Sequence, residues 1–302
     1  MISVSDFHVI EHFAEYLLQV PYDTTPRRLY APQDLYDSDY DATVYAHFLK
    51  TGKHSSSEEE MLARALHDYG MDRALKEFLD PIDPQKVVGV MGGHGLARTD
   101  GMFREIVMLS KMLTERGILM VTGGGPGAME ATHLGAWLAG RGQEDVDEAL
   151  RMVAPVPKFG DEAWLQTAFD VMKRYPQTRY RSLGIPTWLY GHEPTTPFAT
   201  DIAKYFDNSI REDTILTIAF GGIVFTPGSA GTMQEIFQEA VQNHYLSFGF
   251  ASPMIFLGRK FWTDDIPVYP FLEKLMRENK YKNLKLALTD SAEEAASKLE
   301  IE

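Results

Sequence analysis

Residues 118–130, ILMVTGGGPGAME, and residues 223–235, IVFTPGSAGTMQE, decide how this chain folds. Each begins with a short apolar run, turns through a glycine-rich segment and continues into residues that suit a helix. Such runs fit strands buried on both faces of a parallel sheet. After the second turn, Ile236, Phe237, Ala240 and Val241 mark one helical face. A strand, a tight turn and a helix, met twice, define the unit of an open α/β sheet. In such sheets ligands bind beyond the carboxyl ends of the strands. Glycine lets backbone amides approach an anion, and the dipole of the following helix favours a phosphate. A lone glycine-rich turn can mark a tight bend and nothing more. Two at consecutive strand ends predict a nucleotide cleft, with Ser229 and Thr232 adding hydroxyl donors.

Working outward, further apolar runs occur at Val87–Met91, Ile185–Tyr190, Met254–Leu257 and Leu284–Leu288. Between the first two strands lies Asp100–Arg116, with Met102, Ile106, Leu109 and Leu113 on one face. Asp290-Ser291-Ala292-Glu293 resembles a capping box that starts a last helix. The predicted fold is α/β: a Rossmann-like open parallel sheet with helices on both faces, over residues 85–302. Residues 141–183 are long for a crossover; they read as an insertion with a helix near Glu162–Lys173. Residues 1–84 read as a helical N-terminal extension. It contains predicted helices at Ser5–Val20 and Ser57–Leu79, the latter with Met61, Ala65, Leu66 and Tyr69 at helical spacing. Pro81-Ile82-Asp83-Pro84 marks the junction.

Composition removes several classes of function. The chain has 302 residues, of which 44% are apolar, enough to offset the entropy of ordering. The 29 Lys and Arg face 43 Asp and Glu, and the resulting net charge of −14 disfavours nucleic acid as a partner. The absence of cysteine excludes disulfides, thiolate metal sites and cysteine nucleophiles, and fits a reducing cytoplasm. No apolar stretch is long enough for a membrane span, and MISVSDFHVIEHF carries acids and no basic leader. Histidines 94, 133, 192 and 244 are scattered, without metal-ligand spacing. No G-x-S-x-G elbow is present, and Gly52-Lys53-His54 is not a P-loop. Gly123-x-Gly125-x-x-Ala128 matches a dinucleotide fingerprint, but the acidic residue due about 20 positions on falls in a polar, predicted helical stretch around Asp145.

Two charged residues stand out. Glu235 falls, on spacing, in the first turn of the helix after the second glycine turn, where it can serve the helix dipole or face a ribose. Arg211 closes a predicted helix ahead of the strand at 223–226, as a helix C-terminal cation, a surface ion pair or a partner of the cleft.

Gly-Gly-Gly-Pro-Gly-Ala-Met-Glu at 123–130 and Pro-Gly-Ser-Ala-Gly-Thr-Met-Gln-Glu at 227–235 resemble the paired motifs of the LONELY GUY (LOG) family, also labelled lysine decarboxylase-like. The resemblance covers roughly residues 85–300. It implies a Rossmann-like fold and phosphoribohydrolase activity: cleavage of the N-glycosidic bond of nucleoside 5′-monophosphates to a free base and ribose 5-phosphate. It makes Glu235 the catalytic acid and Arg211 the arginine that cooperates with it. Gly228, Ser229, Gly231 and Thr232 would hold the phosphate. Gly92, Gly93, Gly123, Gly124, Gly125, Gly127 and Glu130 would line the nucleotide cleft. A homodimer with sites near the interface is implied, and no metal or other cofactor. Ser229 departs from the family's P-G-G-x-G-T-x-x-E, and the extension and insertion are absent from its short members. No lysine suited to pyridoxal phosphate stands out, so the decarboxylase label gains no support. A nucleotide- or alarmone-binding regulator without catalysis, or a carrier of molybdenum cofactor, are the alternatives.

Overall fold

The Val-Val-Gly-Val-Met run at 87–91 is buried along its whole length and forms the central strand, β1 (Val87–Met91). Our computed structural model describes residues 12–299. The other strands are β2 (Leu119–Thr122), β3 (Ser182–Gly184), β4 (Asp201–Ile202), β5 (Gly222–Phe225), β6 (Pro253–Leu257) and β7 (Lys285–Thr289). They form one seven-stranded sheet in the order β4-β3-β2-β1-β5-β6-β7. Every pairing is parallel, for example Gly89 with Val121 on one side of β1 and with Ile223 on the other. This is the predicted Rossmann-like α/β class.

Side chains alternate between two cores, as the pleat requires. Val88, Val90, Met120, Val224 and Ile255 face one core. It is covered by α5 (Gly101–Glu115), α6 (Ala128–Trp137), α7 (Gln143–Val153), α8 (Ala163–Arg174) and α12 (Ala292–Lys298). Val87, Met91, Val121, Ile223 and Phe225 face the other. There α9 (Asn208–Ile218), α10 (Ala230–Tyr245) and α11 (Val268–Arg277) pack beside the N-terminal helices. The last helix starts at the predicted place, with Ser291 as N-cap accepting from Glu294 N at 3.2 Å, and Asp100 caps α5 by accepting from Met102 N at 2.8 Å.

The N-terminal helical part comprises residues 12–17 (α1), α2 (Pro32–Tyr36), α3 (Tyr40–Thr51) and α4 (Glu58–Leu79). The start of the predicted Ser5–Val20 helix lies outside the described residues. Tyr30 bridges to Ile202 of β4, so this part joins the sheet edge directly. The apolar stripe read on α4 is turned the other way. Met61 is 57% and Tyr69 69% exposed, while Glu60, Arg64, His67 and Asp68 are buried beside Ala63, Met71 and Leu75. The polar face goes inward because its members satisfy one another. Arg64 Nε donates to Glu60 Oε1 at 2.7 Å, His67 pairs with Asp68 at 2.8 Å, and Asp68 accepts the amides of Phe206 and Asp207.

Three further expectations shift. The run at Ile185–Tyr190 is not a strand. The strand ends at Gly184, Pro186 has no amide to donate, only an isolated bridge joins Thr187 to Tyr205, and Trp188–Tyr190 forms a 3-10 turn capped by Thr187. β4 has only two residues and no apolar run to announce it. The insertion holds two helices, α7 and α8, the first lying where the polar stretch around Asp145 read as helical. Among the described residues, no helix is long and apolar enough to cross a membrane.

Candidate functional site

The chain leaves β1 toward β2 on one side, and β5 lies on β1's other side, so β1 and β5 flank the point where strand order reverses. Three loops meet there, joined through Gly93. Its amide donates to Pro227 O after β5 at 3.0 Å, and its carbonyl accepts from Ala128 N after β2 at 3.2 Å. Gly127 takes a φ of +69°, and a Cβ there would run into the backbone of Gly93 and His94. This close approach is why the first turn needs glycine at that point.

The cleft above these loops brings together Gly92, Gly93, Gly123, Arg211, Ser229, Gly231, Thr232 and Glu235. Ser229 is the N-cap of α10 but makes no side-chain capping bond. Its carbonyl accepts from Met233 N at 3.0 Å. The amides of Ala230, Gly231 and Thr232 head the helix and, as in any first turn, have no carbonyl one turn back to bond. Together with the helix dipole they suit an anion. Gly228 sits behind them, against the Thr232 side chain.

Arg211 lies in the first turn of α9, not at a helix end as its sequence context suggested, because Asp207 caps the helix through Ser209 N at 2.7 Å. Its Nε donates to Ile185 O at 3.2 Å, and its guanidinium lies on Gly123, where a Cβ would collide with it. The arginine is thus held across the mouth of β2 and β3. Glu235 also differs from expectation. α10 starts at Ala230, so Glu235 is in the second turn, beyond the range in which a carboxylate serves the helix dipole. It is half-buried in the cleft wall. Burial pushes its carboxyl up to about 7; Arg211's charge acts against that and Glu212's adds to it.

The remaining predicted residues are not in the cleft wall. Gly124 and Gly125 brace the first turn, through Thr196 N donating to Gly124 O at 2.9 Å and Gly125 N lying 3.4 Å from Met129 Sδ. Glu130 is buried and accepts from Arg98 Nε at 2.9 Å and Nη2 at 2.5 Å. Arg98 also binds Val156 O, Thr167 Oγ1 and Trp164 O, so this pair ties the insertion to the glycine loops. Burial pushes the Glu130 carboxyl up and Arg98 acts against it.

Seven cleft residues were not among the predicted site residues: Val90, Met91, His94, Met129, Tyr190, Glu193 and Glu212. Glu212 accepts from Asn208 Nδ2 at 2.6 Å and Gln234 Nε2 at 3.0 Å, binding α9 to α10 beside Glu235. Its position next to Arg211 was the only available signal. His133, by contrast, is buried between Thr122 and Ser182 and held neutral, its pKa pushed down to about 3. Among the described residues no cluster has the makings of a metal site.

Neither a protein-family model nor a curated protein matches the chain. Solved structures similar to it include a molybdenum cofactor binding protein from the phototrophic bacterium Rippkaea orientalis, at 15% identity and TM-score 0.45 over 70% of this chain and 93% of that one. The X-ray structure of TM1055, a structural-genomics target, is similar at 18% identity and TM-score 0.43, over 70% and 96%. The Moco carrier protein of Chlamydomonas rheinhardtii is similar at 16% and 0.38, over 70% and 92%. Likeness at this level concerns the fold alone.

Proposed function

We propose that the cleft binds a nucleoside 5′-monophosphate and hydrolyses its N-glycosidic bond, releasing a free base and ribose 5-phosphate. One observation carries the reading: a carboxyl lifted to about 7, on Glu235, lies in the same cleft as the open first turn of α10. The phosphate takes the amides between Gly228 and Thr232, which fixes the sugar beside Glu235. Water adds to C1′, the C1′–N bond breaks, and the base leaves with a proton. Positive charge builds on the sugar ring as the bond stretches. Near neutrality Glu235 is present in both protonation states. Its acid form can supply the proton to the base, and its carboxylate can stabilise the ring charge or activate water. Arg211 orients Glu235 or contacts substrate oxygens. The two glycine motifs that resemble the LOG family support the same reading.

Chromatography of free base from a panel of nucleotides tests it. Wild type is expected to release base, and Glu235→Gln to lose at least about 100-fold. Normal turnover by Glu235→Gln or Arg211→Ala would overturn the mechanism. Tight nucleotide binding without any base release would assign the cleft to a regulator or carrier instead. The panel therefore includes an alarmone and a molybdenum cofactor, the ligand named for two of the similar structures.

A further inference from the structure

The first turn of α10 and Glu235 line the cleft from the side of β5; the loop between β3 and β4 contributes Tyr190 and Glu193 to the same cleft. Glu193 of that loop lines the cleft with a side chain only 17% exposed. Its Oε1 lies 3.3 Å from His94 Nδ1 and 3.7 Å from His192 Nε2. Its Oε2 lies 3.8 Å from the point where a Cβ on Gly125 would stand, beside the Met129 thioether. Among the described residues, no lysine or arginine pairs with it.

The loop is held rigidly. Glu193 N donates to Tyr190 O at 2.8 Å, and Thr196 N to Gly124 O at 2.9 Å. Buried Lys204 binds Asp41 Oδ1 at 2.6 Å and Thr195 Oγ1 at 3.0 Å, and the Trp188 indole donates to the same Asp41 oxygen at 2.9 Å. Asp41 belongs to α3, so the N-terminal helices fix where this carboxylate stands.

From these placements we infer that Glu193 reads the base of the nucleotide and selects bases bearing an exocyclic amino group. The inference rests on the hydrolase reading for the order of phosphate, sugar and base along the cleft. The Glu193 carboxylate stands over the loop after β2, beside Gly125, and that loop is two strands from the loop after β5, a span of about 10 Å at ordinary strand spacing. Phosphate and ribose do not cover that distance, whereas a nucleotide with its base approaches it. A carboxylate only accepts hydrogen bonds. It therefore favours the amino edge of adenine or cytosine and repels the carbonyl that replaces it in hypoxanthine or uracil. Met129 offers a soft face for the ring, and Tyr190 stands at the rim.

The test compares AMP with IMP and CMP with UMP, pairs that differ chiefly in amino against carbonyl. Wild type is expected to favour the amino member of each pair by about tenfold in kcat/KM. Glu193→Gln, whose amide can also donate, is expected to bring both ratios close to one. Ratios that stay at the wild-type value in Glu193→Gln would overturn the proposal, as would equal rates for both members in wild type. Loss of fold lowers all four substrates together and does not move the ratios. Dissociation constants by calorimetry carry the same comparison. Absence of base release from all four nucleotides would therefore overturn the hydrolase reading, while the binding ratios still decide the role of Glu193.

Discussion

Glu235 and Glu239 lie one helical turn apart on α10 and are both pushed up to about 7 by burial, with different partners. Glu235 faces the cleft between Arg211 and Glu212. Glu239 is sealed in the core, where Ser252 donates to its Oε1. A carboxyl whose pKa is higher folded than unfolded binds its proton more tightly in the native state. Its contribution to stability is full below the unfolded value of about 4.5 and is lost as pH rises through about 7. Glu239→Gln keeps a carbonyl for Ser252 and removes the charge. It should raise stability at pH 8 by about 1–3 kcal/mol and flatten the decline in Tm between pH 5 and pH 8. An unchanged slope would count against the buried charge. For Glu235 the expected readout is activity. A limb of the pH–rate profile should fall near pH 7, and Glu212→Gln should move it lower, because the Glu212 charge raises the Glu235 carboxyl. A limb that stays put would show that Glu212 does not act on Glu235. Glu235 itself was legible in the sequence from its spacing to the second glycine turn. Glu193 and Glu212 were not, since they reach the cleft from a loop and a helix that only tertiary packing brings there.

At the scale of elements, α4 shows what local pattern misses. Its stripe of Met61, Ala65, Leu66 and Tyr69 has helical spacing, which located the helix, but Met61 and Tyr69 face solvent. The inward face carries Asp68, whose carboxylate accepts Phe206 N at 3.0 Å and Asp207 N at 2.8 Å just before α9. Hydrophobic periodicity cannot rank a buried carboxylate above an apolar stripe, because the amides that stabilise it are about 140 residues away. Asp68→Ala leaves those amides without their acceptor. It should cost about 2–4 kcal/mol in urea unfolding and weaken the hold on Arg211 one helical turn further on. A loss below about 0.5 kcal/mol would mean that the amides find other partners. The same limit explains β3 and β4: three and two residues respectively, too short to carry a strand signal. The five longer strands were visible, each within a residue or so of its observed bounds; for β1, β2, β5 and β6 the reason is that burial on both faces demands continuous apolar runs.

Over the whole molecule, the α/β class followed from the repeated strand–turn–helix units, while strand order did not. It became apparent only when α9 was seen to carry the chain from β4 across to β5, which creates the cleft beside β1. The N-terminal helices, read as an extension, share the core that contains Val87, Val121 and Ile223. Removing residues through 80 would bare that face, and the truncated chain should be insoluble. A soluble, active truncation would show that the helices are dispensable. The most direct test of the central claim is a crystal structure of Glu235→Gln protein soaked with AMP. The expected result is a phosphate bonded to the amides between Gly228 and Thr232, with C1′ beside residue 235. A phosphate bound elsewhere, or a sugar turned away from that residue, would contradict the account.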